Sequence, residues 1–207
     1  MRRLYRGGTV TACSRAALII AVALVVGSSA PAVGTAAPRG SGIGVVDFYA
    51  LGPLPPLEGV FPETLAADDL AALVAQSAGA QITVIPRATV RQAESAIGWQ
   101  GSDVLRFARL QQLAHTLNAD LLLVGWIGRL EFDRGGGGAQ SRARHLMTGF
   151  GTVTVQVFDP RQGRMVSQVD QSAYEIGVVE SGVAERLIRR IVEATVPSVL
   201  SAIGGAR

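Results

Sequence analysis

Lysine is absent from this 207-residue chain, and cysteine occurs once. All 19 basic residues are arginines, a choice that carries no functional signal by itself. The single Cys13 precedes the one long apolar run, whereas a lipid-bearing cysteine follows such a run, so lipid attachment is not expected. Nor is a disulfide; the folded part must be held by its core. Histidine occurs only as His115 and His145, neither in an H-E-x-x-H pattern, so no zinc site is expected. There is no Gly-x-Ser-x-Gly elbow, and Ser181, beside Gly182 near a helix start, reads as a cap.

What is present begins with a leader. Arg2, Arg3, Arg6 and Arg15 accompany an unbroken apolar run from Ala16 to Val26. That length suits a secretory signal and falls short of the roughly 20 residues of a membrane span. Gly34-Thr35-Ala36 places small residues at −3 and −1 of a cut after Ala36, leaving Ala37 first; cuts after Ala30 or Ala37 would put proline at +1. We read 1–36 as a signal peptide, 37–42 as a linker, 43–203 as a single domain and 204–207 as a tail. An uncleaved anchor is the alternative, and the positive end before the run sends the domain outward in both cases. The formal charge of +3 is set by the leader, which holds four arginines and no acid. Fifteen arginines against sixteen acids remain, so the exported part is near −1 and lacks the basic footprint of a nucleic-acid binder.

With 48% hydrophobic residues, the chain can build a core. Ile43–Tyr49 reads as a strand, and Pro53, Pro55 and Pro56 force a loop after it. A helix is predicted over about 62–78, with Pro62 in its first turn, Glu63, Asp68 and Asp69 toward its start, and Leu70, Leu73, Val74 and Ser77 on one face. Strand 82–85, helix 88–97 and a third helix to Leu117, capped by Ser102, follow. This third helix carries a broad apolar side that includes Leu105 and Phe107. The unalternating Leu121-Leu122-Leu123-Val124 predicts a central strand, 120–130, covered on both faces. Val153, Val155 and Val157 alternate with Thr152, Thr154 and Gln156, and Asp159 to Gly163 is a turn into a fifth strand, 164–174. A last helix spans about 179–203, with Val183, Leu187, Ile191, Ala194 and Val199 near one face and Pro197 expected to kink or divide it. The order β-α-β-α-α-β-β-β-α predicts a single α/β domain: a mixed five-stranded sheet with a parallel core, a closing antiparallel hairpin and helices packed on it.

Few residues invite chemistry. Gly40 to Gly44 mimics a dinucleotide fingerprint but precedes a strand, and Gly135 to Gly138 opens no helix and lacks a Lys-Ser/Thr pair, so no cofactor is expected. Asp68/Asp69 and Glu131/Asp133 are the carboxylate pairs available for acid–base work. Arg134, Arg142 and Arg144 give the connection 134–147 local positive charge, and Trp99 sits at an interhelix break; these four are the candidate partner contacts. Trp126 reads as core.

Gly44-Val45-Val46-Asp47-Phe48, Leu117-Asn118-Ala119-Asp120-Leu121 to Ile127, and Val155 to Val166 around Asp159 and Gly163 together resemble a superfamily of envelope domains. It is typified by the curli-secretion lipoprotein, the N-terminal domain of the Tol-system translocation protein and the lipoprotein activators of penicillin-binding proteins. The resemblance covers most of 43–200. It implies a non-catalytic envelope component that binds other proteins in the periplasm or at the cell exterior, with no active-site residues to transfer. The alternatives are a secreted hydrolase with a carboxylate site and a small-ligand or glycan-binding module. An enzyme should show a deep pocket with convergent polar groups, an adaptor an exposed apolar or arginine-rich patch.

Overall fold

A computed structural model describes residues 41–79, 82–134 and 146–206. The expected signal segment and its cleavage point, most of the linker, the glycine run 135–138, Arg142, Arg144 and His145 lie outside the described residues.

Strand β1 (Ser41–Val45) runs parallel to β3 (Ile82–Val84) on one side and to β4 (Leu121–Asp133) on the other, so that Ile43 lies between Val84 and Leu121. Strands β5 (Met147–Asp159) and β6 (Arg164–Gly177) continue antiparallel, giving the order β3-β1-β4-β5-β6. The two-residue β2 (Tyr49–Ala50) pairs parallel with β4 at Trp126 and Ile127. The sheet therefore has six strands rather than five, because the strand expected over 43–49 divides. Val46 still donates to the Leu123 carbonyl, but the Asp47 N–H turns to Glu94 and the Phe48 N–H to the Glu63 carbonyl.

The expected central strand is central: Leu121 to Gly125 are buried, and β4 continues past the predicted end at Leu130 to Asp133. A bulge between Ile127 and Arg129 shifts its register. On one face, Val45, Leu123 and Val155 pack against α1 (Pro62–Ser77) and α4 (Glu180–Gly205) in the main core. In α1 the buried stripe is Ala66, Ala67, Leu70, Ala71 and Val74, small residues that let the helix approach the sheet, while Ser77 is exposed. In α4, Val183, Leu187, Ile191 and Val199 are buried as expected; Ala194 faces solvent, and Ile188, Val192 and Thr195 fill the stripe instead. Pro197 lies within α4 without dividing it, on the exposed side.

On the opposite face, α2 (Arg87–Ala96), a 3-10 turn (Gly101–Leu105) and α3 (Phe107–Leu117) cover a second core of Val46, Leu110, Leu113, Leu122, Val124 and Phe158. Ser102 caps no helix. Gln100 and Asp103 form a reciprocal capping box on the 3-10 turn, and Arg109 donates from Nε to Asp103 at 3.0 Å, which pins the turn as a separate element. The start of the predicted apolar side consequently stays out of the core, with Leu105 and Phe107 half exposed.

Candidate functional site

The second helix layer covers only part of its face. Beyond the bulge, β4, β5 and β6 project past α2 and α3, and the strict two-residue period of the strands sets one row of side chains outward. Cross-strand register aligns Glu131 with Phe150 and Tyr174, and Asp133 with Thr148 and Ile176. The Phe150 and Tyr174 rings lie 4.8 Å apart, and the Arg129 guanidinium stands 5.5 Å from the Phe150 ring centre. Tyr174 is 64% exposed, and Ile176, Val178 and Val179 are comparably so. An aromatic and aliphatic strip thus lies in solvent where an uncovered strand face is ordinarily polar.

Glu131 and Asp133 belong to this face and do not converge on a pocket. Glu131 accepts from Arg129 Nη2 at 2.5 Å, and that hydrogen bond holds its carboxyl below the usual range, the reverse of what a general acid needs. Arg134, at the end of β4, is exposed and donates to Glu180 at 3.3 Å. Arg142 and Arg144 fall between β4 and β5 in the sequence, outside the described residues. Trp126 is partly exposed, on the same side as Thr154 and Asp170. Trp99 lies elsewhere, half-buried against the second core, with its indole Nε1 buried and without a hydrogen-bond partner among the described residues.

A charged cluster closes the C-terminal end of β1, the end where open α/β sheets commonly bind ligands. Arg87 donates to Asp47, to the Val45 carbonyl and, at 2.9 Å, to Asp68; Arg91 donates to both oxygens of Asp68 at 2.8 and 2.9 Å. Behind them Glu94 is buried and accepts the Asp47 N–H at 3.4 Å. Burial first, and the Asp47 charge second, push its carboxyl up to about 7. Of these residues, Asp68 stood out in the sequence as half of a pair with Asp69, and Asp47 as part of the family-like opening strand. The pair is divided between two tasks, since Asp69 instead accepts from Arg189 of α4 at 3.5 Å.

The other two acids of the family-like motifs hold backbone. Asp120 accepts the Gly42 N–H at 3.1 Å and also the Arg161 guanidinium, tying β1 to the hairpin tip. Asp159 accepts the N–H groups of Arg161 and Gln162 at 2.8 and 3.2 Å, and Gly163 completes the turn at φ +64°. Between this tip, the end of α3 and the edge of β1 and β3 lies an open groove of about 920 Å³, lined by Thr83, Gln111, His115, Asn118, Asp120 and Arg161 among others. His115 is exposed on α3. No cluster of three or more metal-ligating side chains occurs among the described residues, and no helix among them is long and apolar enough to cross a membrane.

No family model matches the chain, and no curated protein matches it by sequence. Solved structures do. Lipoprotein GNA1162 from Neisseria meningitidis aligns at a TM-score of 0.52 with 16% identity, over 78% of this chain and 99% of that one. Protein XCC0632 from Xanthomonas campestris gives 0.48 with 12% identity over 80% and 87%, and the LpoB C-terminal domain from Salmonella enterica gives 0.41 with 14% identity over 65% and 82%. At these identities the likeness to lipoprotein GNA1162 is one of fold.

Proposed function

We propose that this chain is an exported, non-catalytic accessory or adaptor domain of the cell envelope that acts through protein–protein contacts, with its leader removed after Ala36. The observation that carries the reading is the exposed pair Tyr174 and Ile176, backed by the half-buried Phe150 and flanked by Val178 and Val179. Aromatic anchors beside an arginine are the side chains that dominate protein interfaces. The fold shared with a lipoprotein and the motif resemblance support the setting. Arg134, Arg142 and Arg144 are the polar rim we assign to the same contact, and Trp99 a separate, weaker anchor.

Affinity capture from the native envelope, read by mass spectrometry, tests this. A Tyr174→Ala/Ile176→Ser variant should lose at least one protein that the parent captures, and Arg142→Glu/Arg144→Glu should weaken the same capture. Identical captures from parent and both variants would overturn the reading. The hydrolase alternative draws on one observation, the buried Glu94 beside Asp47, and the ligand-binding alternative on the groove beside His115. A Glu94→Gln variant that folds and captures normally yet abolishes the biological phenotype would move the assignment to the enzyme.

A further inference from the structure

Strand β6 is an edge: it pairs with β5 on one side, and no strand among the described residues pairs with its other side. Along an antiparallel edge strand, alternate residues turn both N–H and C=O outward. Fourteen residues of such an edge are a template for adding a foreign strand, and β6 contains no proline or lysine to blunt it.

Two arginines of α4 reach the outward carbonyls. Arg190 Nη1 donates to the Tyr174 oxygen at 3.2 Å and Arg186 Nη2 to the Ile176 oxygen at 3.4 Å. Glu175, between these two residues in β6, holds both: Oε1 lies 3.0 Å from Arg186 Nε, and Oε2 lies 3.6 Å from Arg190 Nη1. The seat of Arg186 is shaped for it. A Cβ at Gly177 would stand 2.5 Å from Arg186 Nη2 and 2.6 Å from Val183 Cγ2, so any larger residue there would dislodge the guanidinium.

We infer that Glu175, Gly177, Arg186 and Arg190 form a clasp that closes the β6 edge against antiparallel pairing with the β6 of a second copy. A single Coulombic contact among exposed groups would contribute little, but the clasp acts by occupying acceptors and leaving two guanidinium groups where an incoming strand must lie. Pairing centred on Tyr174 would set it opposite the second copy's Tyr174 and Glu175 opposite Ala173, an aromatic match with no like charges facing, which makes the guard necessary. This inference stands apart from the adaptor reading, because it concerns the edge of β6 and not its face.

Sedimentation velocity of the purified protein decides it. Arg186→Ala/Arg190→Ala should at least double the sedimenting mass relative to the parent. Adding Ile176→Pro, which removes an outward N–H without touching the ladder to β5, should restore the parental mass, whereas adding Ile176→Ser, which keeps that N–H, should not. Glu175→Gln, which leaves both arginines on α4 but loosens their hold, provides a second, milder opening with the same expected direction. An unchanged mass in both clasp variants overturns the inference. So does association that Ile176→Ser reverses as well as Ile176→Pro, since it would then run through the apolar face, and so does association that neither substitution reverses.

Discussion

The ring of Phe48 lies directly over Gly125, with no room for a side chain between them. A Cβ at Gly125 would stand 2.6 Å from two ring atoms of Phe48, which is itself buried in the main core. The opening strand and the central strand of the family-like pattern meet at this contact. Gly125→Ala should therefore cost about 1–3 kcal/mol through overpacking. Chemical denaturation reads it directly, and Gly125→Ala with Phe48→Leu should recover part of the loss. No loss in the single variant would mean that the ring moves aside freely.

Glu94 makes stability depend on pH in a definite direction. Its folded pKa of about 7 lies above the ordinary 4.5, so the folded state prefers the protonated form. The contribution is fully present below about pH 4.5 and is lost as pH rises through 7. Glu94→Gln cannot ionise. Its urea midpoint relative to the parent should rise between about pH 4.5 and pH 7 and level off above that. Parallel pH profiles for the two proteins would show that Glu94 does not titrate between those limits.

The exposed strip should tolerate change that the core would not. Tyr174→Ala removes a ring that is mostly in solvent, so the expected loss is within about 1.5 kcal/mol, the order of one aromatic pair. Leu123→Ala, fully buried in the central strand, should cost about 2–5 kcal/mol. Thermal melts of the two variants side by side should separate clearly. Comparable losses would place Tyr174 in the folding core and weaken its claim as a contact residue.

Glu131→Gln/Asp133→Asn keeps size and removes charge on the same face. Exposed charges are typically worth about 0–1 kcal/mol, so partner capture should survive this change and fall instead with Tyr174→Ala/Ile176→Ser. The reverse order would make the contact electrostatic.

The mature chain should begin near Ala37. N-terminal sequencing of the exported protein checks the cut, and a chain that still starts at Met1 and fractionates with membranes would favour the anchor.

The parallel core and the hairpin were legible because burial on both faces leaves an unbroken apolar run in β4, and burial on one leaves alternation in β5. The D-x-x-x-G turn was legible for the same local reason: Asp159 and Gly163 are the residue types such a turn requires. What escaped was set by distant partners. Nothing near Asp47 in sequence announces that its N–H leaves the ladder for Glu94, 47 residues away, and so splits the first strand. The uncovered face escaped because period two separates inward from outward without telling whether a helix covers the outward side. Phe150, Tyr174 and Ile176, apolar at positions whose neighbours Thr152 and Ser172 are polar, were the available signal.

The placement of β1 also has a mechanical meaning. The first described strand is not at the rim but clamped lengthwise between β3 and β4, with parallel ladders on both flanks. A tug from the N-terminal side of Ser41 would load both ladders in shear, so that their bonds yield together rather than unzip one at a time. A pull that enters the domain at Ser41 would thus be resisted at its point of entry, and a tug on the far end of α4 would meet no such lock.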